Sequence, residues 1–299
     1  MSVAPRAVLI HRHTEYEELL ARHGTRGQAA FFFSTWEQDL REVEARHEAQ
    51  QEAMAAVTAA IPLDWRRGLV ERADLSRFLF ASEDVVVIVG QDGLVANVAK
   101  YLDGQVVIGI NPDPARNPGV LVPHLAASAA ELLQLAISPE VAGRIEARAM
   151  VDGVVDDGQR ISALNELYVG HPSHQTARYA LALADGKSEH QASSGLLVAT
   201  GTGATGWCRS AWLERHSRLV LPTRTSPDLA WFVREAWPSP ATGVNLTEGL
   251  LTGSARLAIT VESDRLVAFG DGIEADAISL TWGQMIQVET SKRRLHLLR

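Results

Sequence analysis

One short turn in the sequence has the residue types of a phosphate site. Residues 90–94 read GQDGL, and they lie between an apolar, strand-like run and a helical segment. Such a turn exposes backbone N–H groups at a helix N-terminus, where about half a positive charge attracts anions. Asp92 would repel phosphate unless it binds a metal or accepts a proton from an attacking hydroxyl. The structural alternative is a β-turn in which Asp92 is the helix N-cap.

A polar pair interrupts the apolar segment ALNELYVG. Asn165 and Glu166 must find partners or lie at a site, because unpaired polar groups are costly to bury. A neighbouring amide and carboxylate can together bind a vicinal diol, such as that of a ribose. The alternative is a pair at a strand edge that faces water.

A third stretch, residues 200–207, reads TGTGATGW and lies between an apolar run and a second helical segment. Its glycines leave N–H groups accessible, its threonines supply hydroxyls and Trp207 supplies an aromatic wall. This composition indicates a cradle for an anion or a nucleotide. The alternative is a connection that is simply rich in glycine and threonine.

The elements that must position these stretches predict two domains, residues 1–124 and 125–299. In the first, apolar strands alternate with helices, which is typical of an α/β domain with a parallel sheet. A short helix with Thr14 as cap and Gly24 as stop is predicted, and a long helix over residues 36–61 ends before Pro62. Residues 67–74 are predicted to form a strand.

The second domain is predicted to be β-rich after a helix at residues 125–135. Asp-Gly pairs, which are typical of hairpin turns, occur at 152–153, 157–158, 185–186 and 271–272. The last strand could return to the first domain.

Composition excludes several classes of function. The chain has 299 residues, 46% of them hydrophobic, and a net charge of -8, so it lacks the basic surface of a nucleic-acid binder. It has no apolar run long enough to span a membrane and no N-terminal pattern of a signal peptide. Its single cysteine, Cys208, excludes internal disulfides. We therefore expect a cytoplasmic protein with no nucleic-acid or membrane partner.

In this order, the three stretches resemble the NAD kinase family, part of a superfamily with the diacylglycerol and sphingosine kinases. The family pattern is Gly-Gly-Asp-Gly-Thr, then Asn-Glu, then Thr-x-(Thr/Ser)-Gly-(Ser/Thr)-Thr-Ala-Tyr. The segments IGINPDPARNPGVLVP, ALNELYVG and SSGLLVATGTGATGW, and the long helix before RGLVERADL, resemble the mitochondrial-type branch most. The likeness extends over nearly the whole chain.

The resemblance implies a Rossmann-like α/β N-terminal domain and a β-sandwich-like C-terminal domain, the NAD kinase/diacylglycerol kinase-like fold. It implies transfer of the γ-phosphoryl group of ATP to the 2′-hydroxyl of the adenosine ribose of NAD, which gives NADP. Mg²⁺ is the implied cofactor, and the implied assembly is a homodimer or homotetramer.

The resemblance also implies roles for single residues. Asp92 would orient or deprotonate the attacking hydroxyl, and Asn165 and Glu166 would hold a ribose of the dinucleotide. No residue is assigned as a direct metal ligand. The remaining candidates are Gly90, Gln91 and Gly93 for the phosphates, and Thr200, Thr202, Gly203, Thr205 and Trp207 for NAD, with Trp207 in the place of a stacking tyrosine.

The sequence departs from the family pattern at several positions. Gln91 replaces a glycine, so its side chain could obstruct a phosphate or donate its own hydrogen bond. Leu94 replaces a threonine, and Ser194 stands where many members have aspartate. The loss of one charge-assisted hydrogen bond costs roughly 1.5–3 kcal/mol. Because Gln91 lies in the turn that would bind phosphate, a phosphoryl donor other than ATP, such as polyphosphate, stays open.

Two other functions also stay open: a kinase of the same superfamily that acts on a sugar alcohol, nucleoside or lipid, and a non-catalytic NAD(P)-binding sensor. Other residues are interpreted without a firm role. His11 and His13 could bind a metal, and residues 171–174 (HPSH) could contact substrate. The residues interpreted as structural are Cys208, Arg234, Glu235, Asp271 and Gly272.

Overall fold

The computed structural model describes residues 4–35 and 39–299. Contacts between Cα atoms divide the chain into two compact units, Met1–Glu146 with His296–Arg299, and Ala147–Leu295. This division falls after the helix that follows residue 124, and the domain bounds expected from the sequence stay a prediction.

The first unit contains a parallel sheet. Its neighbouring strands follow the order β2, β1, β3, β4. His296 and Leu297 at the end of the chain extend this sheet by pairing in parallel with β4. The strands are β1 Arg6–His11, β2 Arg66–Glu71, β3 Asp84–Val89 and β4 Val106–Ile110.

Five α-helices belong to the described part of the first unit. The cap and stop predicted for the first helix are confirmed: Thr14 forms a capping box with Glu17, and Gly24 ends the helix with a φ of 79°. The helices are α1 Glu15–His23, α2 Arg26–Ser34, α3 Leu40–Ala60, α4 Asp92–Ala99 and α5 Ala129–Ala136, and the 3₁₀ turns are Arg72–Arg77, Ala126–Ser128 and Pro139–Arg144.

The predicted bounds of three elements need correction. The long helix begins after its N-cap Asp39 and ends at Ala60; residues 36–38 lie outside the described part. The strand predicted at 67–74 ends at Glu71, whose side chain caps a 3₁₀ turn. The helix predicted at 125–135 is a 3₁₀ turn followed by α5.

The core of the first unit lies on both faces of the sheet. All six residues of β3 are buried. Val87 and Val89 join a cluster with Val57 of α3 and Leu133 of α5, while Val86 on the alternate face is 0% exposed. This burial explains why the sequence of β3 is continuously apolar: a sheet covered on both faces needs apolar side chains in both directions.

The second unit is β-rich and largely antiparallel. One sheet has the order β12, β11, β10, β7, β14, β15, and in the other β16, β13, β8 and β9 are neighbours, with β5 paired to β16 and β6. The elements are β5 Ile145–Val155, β6 Arg160–Ala163, β7 Glu166–Gly170, β8 Ala177–Leu183, β9 Ser188–Ser193, β10 Gly195–Ala199, a 3₁₀ turn Gly203–Thr205, α6 Trp207–Glu214, β11 Leu229–Arg234, β12 Glu248–Leu251, β13 Leu257–Val261, β14 Arg265–Gly270, β15 Ile273–Thr281 and β16 Met285–Leu298.

Buried side chains from both sheets pack into one cluster that includes Leu167, Trp231, Ile259 and Ile286. The chain thus has an α/β N-terminal part and a β-rich C-terminal part, as the sequence predicts. No helix in the two described ranges has the length and apolarity needed to cross a membrane.

Three of the four Asp-Gly pairs lie in turns between paired strands, at 157–158, 185–186 and 271–272. The turn predicted at 152–153 is wrong, because both residues lie inside β5. Asp152 is buried there and accepts hydrogen bonds from Ser162 Oγ and Arg160 Nη1 at 2.5 and 2.7 Å. Side-chain partners brought by another strand satisfy this aspartate, so it needs no turn.

Gly109 allows the backbone of Leu121 and Val122 to pack closely against strand β4. A Cβ atom added at Gly109 would lie 2.1 Å from Leu121 O and 2.8 Å from Val122 Cα. We expect Gly109→Ala to lower the free energy of unfolding by about 2 kcal/mol or more, because backbone cannot yield as a side chain can. Urea unfolding measures this loss.

Gly143→Ala is the matched control, since a Cβ atom there meets nothing within 4 Å. A Gly109→Ala protein as stable as this control would contradict the prediction.

Candidate functional site

The glycine turn follows β3 directly. Gly90 N donates to Ile110 O at 3.0 Å, which fixes the end of the strand. Gln91 is the N-cap of α4, with an extended backbone and no capping bond from its exposed side chain. The alternative in which Asp92 is the N-cap is therefore wrong, because Asp92 is the first residue of the helix.

The carboxylate of Asp92 binds a row of backbone N–H groups. Its Oδ1 accepts from Leu121 N at 2.7 Å and Val122 N at 3.2 Å, and its Oδ2 accepts from Val120 N at 3.0 Å. A carboxylate offers about four acceptor positions, so about one stays available for a further hydrogen bond. Sequence reasoning missed this contact, because the partners lie beyond the next strand.

The segment that Asp92 binds is held at its other end by Asn111. The buried Asn111 side chain donates to Asn117 O at 2.9 Å and accepts from Asp113 N at 3.0 Å. Gly119 has a φ of 70°, which favours glycine. The polar and glycine residues of INPDPARNPGVLVP are the sequence signal for this rigid loop.

The two glycines of the turn differ in their surroundings. A Cβ atom added at Gly90 would lie 3.1 Å from the Leu94 side chain, whereas one added at Gly93 would meet nothing within 4 Å. Leu94 is 6% exposed and packs in the unit. The backbone at Gly93 is thus open to a ligand. Because the Leu94 side chain is buried, the hydroxyl of a threonine at this position would be buried too.

The Asn-Glu pair lies where one strand gives way to the next. Asn165 is in the bend after β6, and Glu166 begins β7 opposite Ala199 of β10. Asp271 Oδ2 accepts from Leu164 N at 2.9 Å, and Oδ1 accepts from Asn165 N at 2.6 Å. Asp271, interpreted from the sequence as a simple turn residue, thus contacts the candidate site.

Thr200 joins the Asn-Glu pair to the Gly/Thr-rich turn. Its N–H donates to Asn165 O at 2.9 Å, and its hydroxyl donates to Leu164 O at 2.6 Å. The same hydroxyl oxygen accepts from Thr202 N at 3.1 Å and Gly203 N at 3.3 Å. A Cβ atom at Gly203 would lie 2.2 Å from Asn165 O, so this close approach requires glycine.

The other two threonines face different environments. Thr202 is 8% exposed, and its hydroxyl accepts from Arg148 Nη1 at 3.3 Å. Thr205 is exposed, and its hydroxyl donates to Thr202 O at 3.3 Å. Only Thr205 therefore presents its side chain at the surface.

Two side chains lie against the Trp207 ring. Its ring is stacked on Tyr168 with centroids 5.4 Å apart, and the Arg234 guanidinium lies 5.1 Å from its centroid. Tyr168 is fixed in turn by a 2.6 Å hydrogen bond from its hydroxyl to Ser194 O. Arg234, interpreted from the sequence as structural, thus contacts one of the candidate residues.

Burial, with a smaller contribution from the Asp271 charge, raises the pKa of Glu166 to about 7. Burial also raises the pKa of the Cys208 thiol to about 12, with a contribution from Glu166. Cys208 is 0% exposed, in keeping with its interpretation as a packing residue.

The second unit brings together Asn165, Glu166 and residues 200–203, while Asp92 and the glycine turn lie in the first unit. The rings of His11 and His13 are 6.3 Å apart. Across residues 4–35 and 39–299, no three His, Cys, Asp or Glu side chains form a metal-binding group. His171 accepts from Ser173 N at 3.1 Å within its exposed loop.

No protein-family model matches the sequence, and no curated protein matches it significantly either.

The pKa of Glu166 predicts a pH-dependent stability. The folded state binds the Glu166 proton more tightly than the unfolded state. The stabilisation that this proton contributes is therefore fully present below about pH 4.5 and is lost as the pH rises through about 7. We expect Glu166→Gln to be more stable than the native chain by roughly 2–3 kcal/mol at about pH 8.5. The difference should shrink toward about pH 5. Urea unfolding at several pH values measures it.

Glu52→Gln on the exposed face of α3 is the control. A gain from Glu166→Gln that does not vary with pH would disprove the raised pKa.

Proposed function

We propose that this chain is an NAD kinase, which transfers the γ-phosphoryl group of ATP to the 2′-hydroxyl of the adenosine ribose of NAD. One observation carries the proposal: the Thr200 bonds join the Asn165–Glu166 pair to the turn at residues 200–203. Two of the three motifs of the family resemblance are thus one structural unit. The α/β and β-rich parts are compatible with the Rossmann-like and β-sandwich-like domains of that family.

Each motif has a proposed task. Asn165 and Glu166 hold a ribose diol of NAD, with Glu166 donating a hydrogen bond in its protonated form. The turn at residues 200–203, with Thr205 and Trp207, holds the rest of the adenosine. The N–H groups at Gln91 and Gly93 bind phosphate at the start of α4, whereas the Gly90 N–H, a candidate from the sequence, is already bonded to Ile110 O.

Asp92 has the chemical task in this proposal. The 2′-hydroxyl oxygen attacks the γ-phosphorus, its proton passes to the free acceptor position of Asp92, and ADP leaves with the electrons of the broken P–O bond. The hydrogen bonds from the N–H groups of residues 120–122 fix the position of the carboxylate. Such positioning matters because phosphoryl transfer depends mainly on the placement of groups and on charge neutralisation.

In this proposal a magnesium ion would be held mainly by the substrate phosphates. Mg²⁺ usually takes one or two carboxylates together with phosphate oxygens and water, and the described residues offer no larger cluster. Mg²⁺ bound with ATP would neutralise charge on the transferred group. We extend the proposal to a homodimer or homotetramer, as the resemblance implies, located in the cytoplasm, as expected from the composition.

A second candidate function is a non-catalytic NAD(P)-binding protein. The bonds from Val120, Leu121 and Val122 to Asp92 favour it, because they give this carboxylate a purely structural use. In that case the chain would bind the dinucleotide through its second unit without turnover.

The Asp92→Asn variant separates the two functions. An amide is a poor proton acceptor, so we expect NADP formation from ATP, Mg²⁺ and NAD to fall by at least about a hundredfold. The amide oxygen still accepts from Leu121 and Val122, while the bond from Val120 is lost, so urea unfolding of the variant checks that the fold is retained. Enzymatic detection of NADP measures turnover, and calorimetry measures NAD binding.

Asp64→Asn is the control, since Asp64 is exposed and lies in a turn of the same unit. Full activity of Asp92→Asn would exclude its catalytic role. NAD binding by the native chain without any NADP formation would favour the second function.

Gln91 gives a prediction about the phosphoryl donor. Its side chain is exposed and makes no capping bond to the turn. We therefore expect Gln91→Gly to lower the KM for ATP severalfold by opening the backbone to phosphate, and Gln91→Ala to give part of this gain. Steady-state kinetics with varied ATP measure both. A higher KM in both variants would mean that the Gln91 amide binds the donor.

A further inference from the structure

Asp271 lies in the turn between β14 and β15, yet its carboxylate points away from its own turn. It accepts hydrogen bonds from the N–H groups of Leu164 and Asn165 at 2.9 and 2.6 Å. Its own N–H donates to Glu166 O at 3.0 Å. Three consecutive residues of the Asn-Glu bend are thus bound to one aspartate.

The other two Asp-Gly turns show that this geometry is not a general property of such turns. Asp185 accepts from Lys187 N at 3.1 Å, and Asp157 accepts from Gln159 N at 2.9 Å, each two residues along its own turn. Asp271 alone of the three has a positive φ, 54°. With Gly272 also at a positive φ, 68°, these two residues have the backbone that a type I′ hairpin turn requires, and from this turn the Asp271 carboxylate reaches the bend.

The ionisable side chains on the elements around the Asn-Glu pair have other partners or lie at a distance. Buried Arg148 of β5 donates to Thr202 Oγ1. The paired strand β10 reads GLLVA and has no ionisable side chain. On β14, Arg265 is at the far end from Gly270, and on β6, Arg160 is bound to Asp152. On α6, the Cys208 thiol interacts with Glu166, while Arg209 and Glu214 are exposed. Asp271 is thus the nearby fixed charge that acts on Glu166.

We propose that Asp271 is the positioning residue of the Asn165–Glu166 pair. It holds the Leu164–Asn165 backbone so that the Asn165 amide and the Glu166 carboxyl keep one spacing for the two hydroxyls of a ligand. Where that ligand is the ribose of NAD, the inference rests on the proposed function. The role of Asp271 in holding the Leu164–Asn165 backbone does not depend on that function.

The first test needs no ligand. Asp271→Asn has one acceptor oxygen in place of two, and asparagine tolerates the same positive φ. We expect amide hydrogen exchange at Leu164 or Asn165 to quicken by about tenfold or more. The Glu166 carboxyl, followed by NMR after ¹³C labelling of glutamate, should titrate at lower pH than in the native chain, because a like charge has gone.

The second test uses NAD. Since Asp271 shapes a binding pair and touches no reacting atom, Asp271→Asn should raise the KM and Kd for NAD about fivefold or more while kcat changes by less than about twofold. Asp185→Asn is the matched control, because it alters an Asp-Gly turn of the same unit. Asp271→Ser, which keeps one short acceptor, replaces Asp271→Asn if the latter does not fold.

The outcomes are separable. Unchanged exchange at both amides, or the same exchange change in Asp185→Asn, would overturn the proposal. So would a fall in kcat with KM for NAD unaltered. If the native chain forms no NADP, the kinase assignment fails, and amide exchange with the Glu166 titration still decides the role of Asp271.

Discussion

The hydrogen bonding of the bend at Leu164 and Asn165 is the constraint on which the candidate site of the second unit depends. Their two N–H groups donate to Asp271, and their two carbonyl groups accept from Thr200. All four backbone polar groups are thus used, which a partly buried bend requires. The side chains of Asn165 and Glu166 project from a support that cannot easily rotate, and such rigidity is what selective binding of a diol needs.

The first unit uses the same device around Asp92. One carboxylate again accepts from consecutive N–H groups, here those of residues 120–122. These bonds and the positive end of α4 both stabilise the charge of Asp92. The difference lies in the neighbours. Asp271 lies near Glu166, whose pKa is raised to about 7 by burial and to a smaller extent by the Asp271 charge, whereas Asp92 lies beside the open backbone of Gly93. The two carboxylates therefore hold different segments: Asp271 holds the bend at Leu164 and Asn165, and Asp92 holds residues 120–122.

Much of the fold was predictable from local pattern. The apolar run of β3, the Thr14 cap and the Asp-Gly turns at 185–186 and 271–272 follow from periodicity and turn chemistry that act over a few residues. The failures have a common cause. The pair at 152–153 lies inside a strand because Ser162 and Arg160 reach Asp152 from the neighbouring strand. Asp92 could have been the N-cap of α4, yet its carboxylate binds the N–H groups of residues 120–122. In each case a partner from another element changed the role that the local sequence indicated.

The sequence by itself determined which residues could do chemistry: one acid in a glycine turn, an amide beside a carboxylate, and a turn of glycines and threonines. It also determined the α/β and β-rich character of the two parts, since hydrophobic period and turn residues are local properties. Only the tertiary structure decided what those residues touch. The hydrogen bonds of Asp92, Thr200 and Asp271 join segments that are distant along the chain, and their geometry exists only after the strands have paired.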